Sequence, residues 1–378
     1  MAHWLIVSGS AHALARACID AGMTCDVIDP WGDTDTRALA RRFEHCPLGG
    51  TDFSECLPQR VEEMARSSHW DGIVTGSGFE GRPWLIDALG RHAPLIGNDA
   101  ATVARCKSPQ AIVVAARTAG LRAADVLEHG LLDDGWLVKP LGGCGGQGVR
   151  RAGTNEPVPA GCFGQRRVVG TTASVLFLAD GHTAQLVGVS RQTPGSVAGP
   201  FAWCEAVGDL PLAESRIRQL ADALHRMVAE FGLRGLNGID LVFDADDEPV
   251  PIEINPRPTA TISLYPDRVK GGLFAAHVAA HAGRLDSPLQ APSGKVRGLR
   301  VVYAPVPASI GKAVRWPAWC TDLPQPGTSV AAAAPLCTVH ASAADGNEVS
   351  ALLRQRECEV LDMPGLHSEA GQTTTVLS

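Results

Sequence analysis

The stretch Val250–Pro258 reads VPIEINPRP, and it decides the fold. Side chains alternate between the two faces of a strand. Ile252 and Ile254 are therefore expected to point into a core, while Glu253 and Asn255 project together from the opposite face. The stretch predicts a strand that aims a carboxylate and an amide at one side.

Two prolines end this strand and isolate an arginine between them. Pro256 and Pro258 cannot continue a ladder of backbone hydrogen bonds, so the strand is expected to stop there. Arg257 is then fixed beside Glu253 and Asn255. Its fork of donors suits a phosphate or a carboxylate.

The strand before this one supplies a second carboxylate. If Asp246 and Asp247 form the centre of a hairpin, Asp240 lies directly opposite Glu253. Two opposed carboxylates repel each other unless a proton or a cation lies between them. With the amide oxygen of Asn255, the set is all oxygen and suits Mg²⁺ better than zinc. A solvated hairpin face is the alternative that these residues leave open.

Lysine is scarce in this chain, so each lysine is informative. The basic residues number 33, and only Lys107, Lys139, Lys270, Lys295 and Lys312 are lysines. The first is predicted to lie on a helix spanning 98–120, and the second on a short strand spanning 135–140. The other three lie in glycine-rich loops and have no assigned role.

A glycine-rich segment, LGGCGGQGV, follows the second of these lysines. Such a loop either wraps a phosphate or turns a hairpin, because glycine allows close backbone approach. It is not a P-loop, since no Gly-Lys-Ser/Thr follows. Its glycines are Gly142, Gly143, Gly145, Gly146 and Gly148.

The first hundred residues alternate strand, turn and helix, which predicts an open parallel α/β sheet. Ligand sites in such sheets form beyond the carboxyl ends of the strands, and the run GSGFE at 76–80 lies at such an end. The earlier turn SGSAHA lacks the G-x-G-x-x-G spacing, which argues against a dinucleotide cofactor.

Composition places the chain among soluble globular proteins with small-molecule substrates. It has 378 residues, 45% of them hydrophobic, and a formal net charge of -7, which argues against nucleic-acid binding. A signal peptide and a membrane span are not predicted. The eleven cysteines occur singly, which favours a reducing cytoplasm.

One histidine pair resembles part of a zinc motif. His277 and His281 lie four residues apart in HVAAH, on one face of a predicted helix. The zinc-protease pattern needs a glutamate after the first histidine, where this chain has Val278. A packed helix is therefore favoured over a metal site.

Taken in order, these motifs resemble the ATP-grasp superfamily of carboxylate-amine ligases, over about 200 residues. The order is a helix lysine, a strand lysine in LVKP, a glycine loop, a Q-x-x-x-x-G segment (165–170), a strand aspartate and E-x-N-x-R. The resemblance implies an ATP-grasp fold of mixed α/β and α+β type. Its implied domains are an N-terminal open parallel α/β domain (1–97), a two-lobed ATP-grasp domain (98–288) and a small β-rich C-terminal domain (289–378).

The resemblance also implies cofactors and roles. ATP binds between two lobes, with Mg²⁺ or Mn²⁺ as the metal. Arg257 and Lys139 are the implied catalytic residues. The implied nucleotide-binding residues are Lys107, Lys139, the five loop glycines, Gln165, Arg166, Arg167 and Val168, and the implied metal ligands are Asp240, Glu253 and Asn255. Many members carry an acidic residue where this chain has Gln165-Arg166-Arg167, so the ribose contact is not assigned.

The implied reaction is activation of a carboxylate as an acylphosphate, which an amine then attacks. GSGFE, LIGN and EINPRPT resemble the ligases of methanofuran-type cofactor synthesis, which join glutamate to tyramine or a related amine. The alternatives are a carboxylase that activates bicarbonate and a non-catalytic nucleotide sensor. A cytoplasmic homodimer is compatible with the resemblance.

Overall fold

The computed structural model describes residues 1–47, 52–285, 288–292 and 294–368. The N-terminal region contains a five-stranded parallel sheet in the order β3-β2-β1-β4-β5. Its elements are β1 (His3–Val7), α1 (His12–Asp20), β2 (Thr24–Asp29), α2 (Thr34–Leu39), β3 (Phe43–His45), α3 (Asp52–Ala65), β4 (Gly72–Thr75), α4 (Trp84–Leu89) and β5 (Leu95–Ile96). The predicted open parallel sheet is confirmed.

The strand order of this sheet reverses between β1 and β4, which makes their carboxyl ends the place where a crevice forms. The turns after the two strands touch, since Gly9 N donates to Ser77 O at 2.7 Å. A Cβ on Gly76 would lie 2.2 Å from Ser8 Oγ, so only glycine fits there. The run GSGFE thus begins at the carboxyl edge of the sheet, as predicted.

The helix predicted over 98–120 is wrong in one respect, because it is two helices: α5 (Ala100–Lys107) and α6 (Pro109–Thr118). Ser108 has extended backbone angles (φ −64°, ψ 134°). The proline ring that follows disfavours the helical region for the preceding residue. The break leaves Lys107 at the carboxyl end of a helix, where a cation is electrostatically favoured.

A four-stranded antiparallel sheet follows, in the order β6-β11-β8-β9, with a two-stranded ribbon of β7 and β10 beside it. Its strands are β6 (Val126–Leu127), β7 (Leu131–Leu132), β8 (Trp136–Pro140), β9 (Arg150–Arg151), β10 (Glu156–Pro157) and β11 (Cys162–Arg166). Lys139 lies on β8 and Gln165 on its neighbour β11, so both belong to this small lobe.

An eight-stranded antiparallel sheet forms the second lobe. Its first elements are β12 (Thr171–Asp180), β13 (Ala184–Ser196), β14 (Gly199–Val207), α7 (Glu214–Phe231), β15 (Arg234–Phe243), β16 (Pro249–Asn255), a 3₁₀ helix (Ala260–Leu264) and α8 (Leu273–His281). Alternate residues of β12 divide the core: Val175 and Phe177 pack with α6 and α7, whereas Leu176 and Leu178 pack with α8 and α1.

The C-terminal strands continue this same sheet, whose order is β16-β15-β12-β13-β14-β17-β21-β19. The remaining elements are β17 (Val296–Tyr303), β18 (Ala308–Ile310), β19 (Cys320–Thr321), β20 (Ser329–Val330), β21 (Pro335–Ala343), α9 (Gly346–Leu361) and β22 (Leu366–Ser368). Ala333, in the AAAA run before β21, takes a left-handed conformation with φ 61°. The predicted domain boundaries, 97/98 and 288/289, remain predictions.

The hairpin of β15 and β16 has the predicted register, with Asp240 directly opposite Glu253. A bulge follows this pair, since Leu241 faces Pro251. The extra residue of the bulge is Ile252, which lines a cavity, so its predicted place in the core is wrong. Ile254 is 1% exposed and does lie in the core.

None of the helices in the described ranges combines the length and the apolar character that crossing a bilayer requires.

Candidate active site

A cavity of about 900 Å³ lies between the two lobes. Its wall comes from the end of α5, the strands β8 and β11, the glycine-rich segment and the hairpin of β15 and β16. The predicted site residues that line it are Lys107, Lys139, Gly142, Gly143, Gly145, Gly146, Gln165, Arg166, Arg167, Val168, Asp240 and Glu253. Residues far apart in sequence thus meet at one place large enough for a nucleotide.

The three predicted metal ligands lie together at one end of the hairpin. Asn255 Nδ2 donates to Asp240 Oδ2 at 2.9 Å, and Gln192 Nε2 donates to Asp240 Oδ1 at 3.2 Å. Burial raises the pKa of Asp240, and the opposed carboxylate of Glu253 raises it further, against hydrogen bonds from Ser174 and Asn255. Two buried carboxylates repel each other when both are charged, so a bound cation would stabilise the pair.

These ligands fit Mg²⁺ by their chemistry, because every candidate donor is oxygen. A search of the described residues finds no group of three or more His, Cys, Asp or Glu side chains with metal-binding geometry. The candidate metal ligands are two carboxylates and one amide, so the proposed metal site depends on Asn255 as much as on Asp240 and Glu253.

Lys107 contacts the same acids directly. Its ammonium lies 2.6 Å from Glu253 Oε1 and 3.3 Å from Asn255 Oδ1. Burial lowers the pKa of Lys107, but the charges of Glu253 and Glu80 outweigh it and the net shift is upward. For Glu253 burial raises the pKa, and Lys107 and Lys139 outweigh it and lower the net value. Both groups therefore stay charged across the neutral range.

Lys139 differs, because its hydrogen-bond partners in the described ranges are neutral. Nζ donates to Gln165 Oε1 at 3.2 Å and to Ile252 O at 3.4 Å, and lies 5.8 Å from the centre of the Phe163 ring. The bulge frees the carbonyl of Ile252 for this contact. Burial is the largest influence on the pKa of Lys139 and lowers it. A buried ammonium with neutral partners favours an anionic ligand.

The glycine-rich segment is held down at two points. Gly145 O accepts a hydrogen bond from Trp203 N at 2.9 Å. A Cβ on Gly146 would lie 1.8 Å from Phe201 O, and one on Gly142 would lie 2.4 Å from Gly81 Cα. Gly148 packs against Pro140 and lies outside the cavity lining. The segment therefore covers the cavity by close backbone contact with β14 and with the turn after β4.

Gly142→Ala is expected to weaken ATP binding about tenfold, since the left-handed conformation (φ 66°) costs a side chain about 1–2 kcal/mol and the added Cβ meets backbone. Gly81→Ala is the matched control, because its Cβ would lie 3.6 Å from Gly142 O, an ordinary contact. Calorimetric titration with ATP and Mg²⁺ measures both. Equal affinity of Gly142→Ala and the unchanged protein would contradict a covering role for this segment.

Arg257 has a partner that the sequence did not reveal. Its Nε donates to Glu80 Oε1 at 2.5 Å, while Nη2 lies 3.4 Å from Asn255 Oδ1. Arg257 and Asn255 lie outside the cavity lining, although Asn255 contacts Lys107, which lines it. The available signal for Glu80 was its position, five residues beyond β4 at the carboxyl edge of the parallel sheet.

The predicted nucleotide-binding segment 165–168 lies along the wall of the cavity. Gln165 is 2% exposed and donates to Ile252 O at 3.1 Å. Arg166 turns outward to Asp133 at 2.8 Å and stacks over Trp136. Arg167 and Val168 line the cavity beside them.

His277 packs within the core, and His281 lies partly buried beside it. His277 is fully buried, and its Nδ1 accepts from Leu236 N at 2.7 Å. His281 Nδ1 lies 3.1 Å from Gly97 N. Burial lowers the pKa of both rings, to about 4 for His277. The packed-helix interpretation is confirmed.

Comparison with known proteins begins with protein families. Residues 119–261 match a family model described as the ATP-grasp domain. The match covers less than half of the chain and includes Lys139, the glycine-rich segment and the hairpin of β15 and β16. No curated protein matches the chain significantly.

Solved structures resemble nearly the whole chain at low sequence identity. The biotin carboxylase domain dimer of Hydrogenobacter thermophilus 2-oxoglutarate carboxylase, with MgADP, ADP and bicarbonate, has a TM-score of 0.74 at 12% identity and covers 96% of this chain and 91% of that one. The L-amino acid ligase of Bacillus licheniformis has a TM-score of 0.67 at 14% identity, covering 97% and 98%. N5-carboxyaminoimidazole synthetase from Staphylococcus aureus, complexed with ADP, has 0.65 at 12%, covering 94% and 97%.

At these identities the structural likeness establishes architecture, and the family model identifies the domain within it. The expected fold class is confirmed. This chain has the ATP-grasp fold and carries an ATP-grasp domain at residues 119–261.

Proposed function

We propose that this protein is an ATP- and Mg²⁺-dependent ligase that activates a carboxylate as an acylphosphate for attack by an amine. The observation that carries the proposal is the meeting of Asp240, Glu253, Lys107 and Lys139 on the wall of one cavity. A carboxylate is a poor acyl donor because its leaving group would be oxide. Transfer of the γ-phosphoryl group replaces that leaving group with phosphate.

Each residue has a proposed part in that transfer. Lys139 binds phosphate oxygens, because its ammonium is buried among neutral partners. Asp240, Glu253 and Asn255 hold Mg²⁺, which when bound neutralises charge on the phosphates. Arg257 stabilises the transferring phosphoryl group. Phosphoryl transfer depends mainly on positioning and charge, so the chain needs no covalent nucleophile.

Two of the similar solved structures support nucleotide use. The carboxylase domain was solved with MgADP and the synthetase with ADP. We propose ATP with Mg²⁺ or Mn²⁺ for this chain on the same fold. The similar carboxylase domain was solved as a dimer. We therefore also propose a homodimer for this protein, which light scattering tests.

The finer proposal concerns substrates and rests on sequence resemblance alone. GSGFE, LIGN and EINPRPT resemble the methanofuran-type ligases, so the first pair to test is glutamate with tyramine or tyrosine. Asn98 of LIGN has a structural task here, because its side chain donates to Asn237 Oδ1 at 2.7 Å and to Pro256 O at 3.0 Å. It anchors the turn that carries Arg257.

The deciding experiment measures ADP release from ATP and Mg²⁺ against a panel of carboxylates, amines and bicarbonate. ADP release that requires one acid and one amine together supports the ligase. ADP release that requires bicarbonate favours the carboxylase. Tight ATP binding without ADP release under any combination favours a nucleotide sensor.

Lys139→Ala is expected to weaken ATP binding about tenfold or more, because a hydrogen bond to a charged group contributes about 1.5–3 kcal/mol. Calorimetric titration with ATP and Mg²⁺ measures the change. Lys312→Ala is the control, because that lysine is exposed and lies outside the cavity lining. Unchanged affinity in Lys139→Ala would mean that Lys139 serves the fold alone.

A further inference from the structure

The turn after β4 contacts two segments of the proposed phosphoryl-transfer site. Glu80 forms an ion pair with Arg257, which lies 177 residues later in the chain. The next residue, Gly81, lies against Gly142 of the glycine-rich segment. The N-terminal sheet therefore reaches the site that the two ATP-grasp lobes form.

Glu80 is held on both carboxylate oxygens. Oε1 accepts from Arg257 Nε at 2.5 Å, and Oε2 accepts from Gly78 N at 2.7 Å. The residue is 5% exposed. Burial raises its pKa, but the charges of Arg257 and Lys107 outweigh burial and bring the value to about 2. Glu80 is thus a fixed anion at neutral pH and cannot serve as a general acid or base there.

Glu80 holds the Nε side of the Arg257 guanidinium, while its two terminal nitrogens are less constrained. The Nη1 and Nη2 contacts of Arg257 are long, at 3.3 Å to Pro258 O and 3.4 Å to Asn255 Oδ1. The short Nε contact therefore sets the orientation of the planar guanidinium. The carboxylate also offsets the repulsion that Arg257 exerts on Lys107 in this buried cluster, because its charge acts on both cations.

We infer that Glu80 is a positioning residue for Arg257, holding the guanidinium oriented for the phosphoryl group by a short ion pair from the N-terminal sheet. The inference rests on the proposed function. A purely structural ion pair between two parts of the fold is the competing explanation. The two differ in whether loss of Glu80 affects transition-state binding through the arginine.

The test compares binding of ADP–Mg²⁺ with binding of ADP–Mg²⁺ plus fluoroaluminate, which mimics the transferring phosphoryl group. Glu80→Gln is expected to reduce the gain in affinity from fluoroaluminate about tenfold, while ADP–Mg²⁺ affinity changes less than about twofold. Arg257→Lys keeps the charge but loses the planar fork. The double variant is expected to match Arg257→Lys alone, because Glu80 then has no guanidinium to orient.

Glu205→Gln is the matched control for loss of a buried ion pair. Glu205 is 2% exposed, lies 3.1 Å from Arg300 and accepts from Ser350 Oγ at 2.8 Å, outside the cavity lining. Glu205→Gln is expected to lower thermal stability and to leave the gain in affinity from fluoroaluminate unchanged. An equal loss of gain in Glu205→Gln would overturn the inference, because general destabilisation would then explain the result.

Four other outcomes would also overturn it. The first is full gain in Glu80→Gln, and the second is an effect of Glu80→Gln that adds fully to that of Arg257→Lys. Unchanged protein that binds ADP–Mg²⁺ without any gain would remove Arg257 from phosphoryl transfer while leaving nucleotide binding intact. Unchanged protein that does not bind ADP–Mg²⁺ at all would overturn the proposed function together with this inference.

Discussion

Glu253→Gln is expected to lower magnesium-dependent ATP turnover by about 100-fold or more, because it removes one of the two opposed carboxylates that would hold the proposed metal. Glutamine has nearly the same shape, so the fold should persist. It also leaves Lys107 without the charge that lies 2.6 Å from its ammonium. The loss is therefore expected in metal binding first and in turnover as a consequence.

Two measurements check this result. ADP release is followed as Mg²⁺ is varied, and direct binding of Mn²⁺ is followed by electron paramagnetic resonance. Glu248→Gln is the control, since Glu248 lies on the same hairpin, pairs with Arg216 at 2.9 Å and lies outside the cavity lining. Normal turnover in Glu253→Gln would refute the metal assignment.

Asp33→Asn is expected to stabilise the protein at pH 8 by a few kcal/mol, on the order of the free energy of a pKa shift of this size. Asp33 begins α2, is 7% exposed and makes no side-chain hydrogen bond to cap the helix. Burial raises its pKa, and the charges of Asp322, Asp29 and Asp35 act in the same direction, so that together they bring the pKa to about 8. The carboxyl group therefore keeps its proton in the folded protein at neutral pH.

The sign of the pH dependence follows from this raised pKa. The unfolded chain releases the proton near the ordinary value of 3.8, whereas the folded chain holds it until about pH 8. The folded state thus binds more protons across this range, so this group's contribution to stability is full below the unfolded pKa and declines as pH rises towards 8. Asparagine removes that decline.

Chemical unfolding at pH 5 and pH 8 measures the effect. The unchanged protein should lose more stability between these values than Asp33→Asn does. Asp20→Asn is the surface control, because Asp20 is more than half exposed and its ion pair within the described residues is with Arg16, an exposed side chain. The same loss of stability in Asp33→Asn and in the unchanged protein would contradict the prediction.

The sequence was sufficient for features that depend on neighbouring residues in one strand or hairpin. The register that opposes Asp240 and Glu253 followed from alternation and from the centre of the turn, and the structure confirms it. Lys139 lies on a strand, as LVKP predicts. These features depend on local periodicity, which is visible in a single sequence.

Contacts between residues far apart in the chain could not be predicted from the sequence in this way. Glu80 contacts Arg257, which lies 177 residues later in the chain, and nothing in the sequence GSGFE indicates this partner. Asp33 meets Asp322 only because the loop after β19 docks on α2, where Asp322 N and Leu323 N donate to Asp35 at 3.0 and 2.9 Å. Pro109 divides α5 from α6 in the structure, although the helical pattern on either side favoured one continuous helix.

The continuation of the large sheet into the C-terminal segment has a practical consequence for dissecting the protein. A chain truncated after residue 288 would lose the strand that pairs with Glu205, Ala206 and Val207, and would expose an edge of β14. Unpaired strand edges recruit other chains. Expression of residues 1–288 alone should therefore give aggregates, and the whole 378-residue chain is the proper unit for crystallisation and for activity screens.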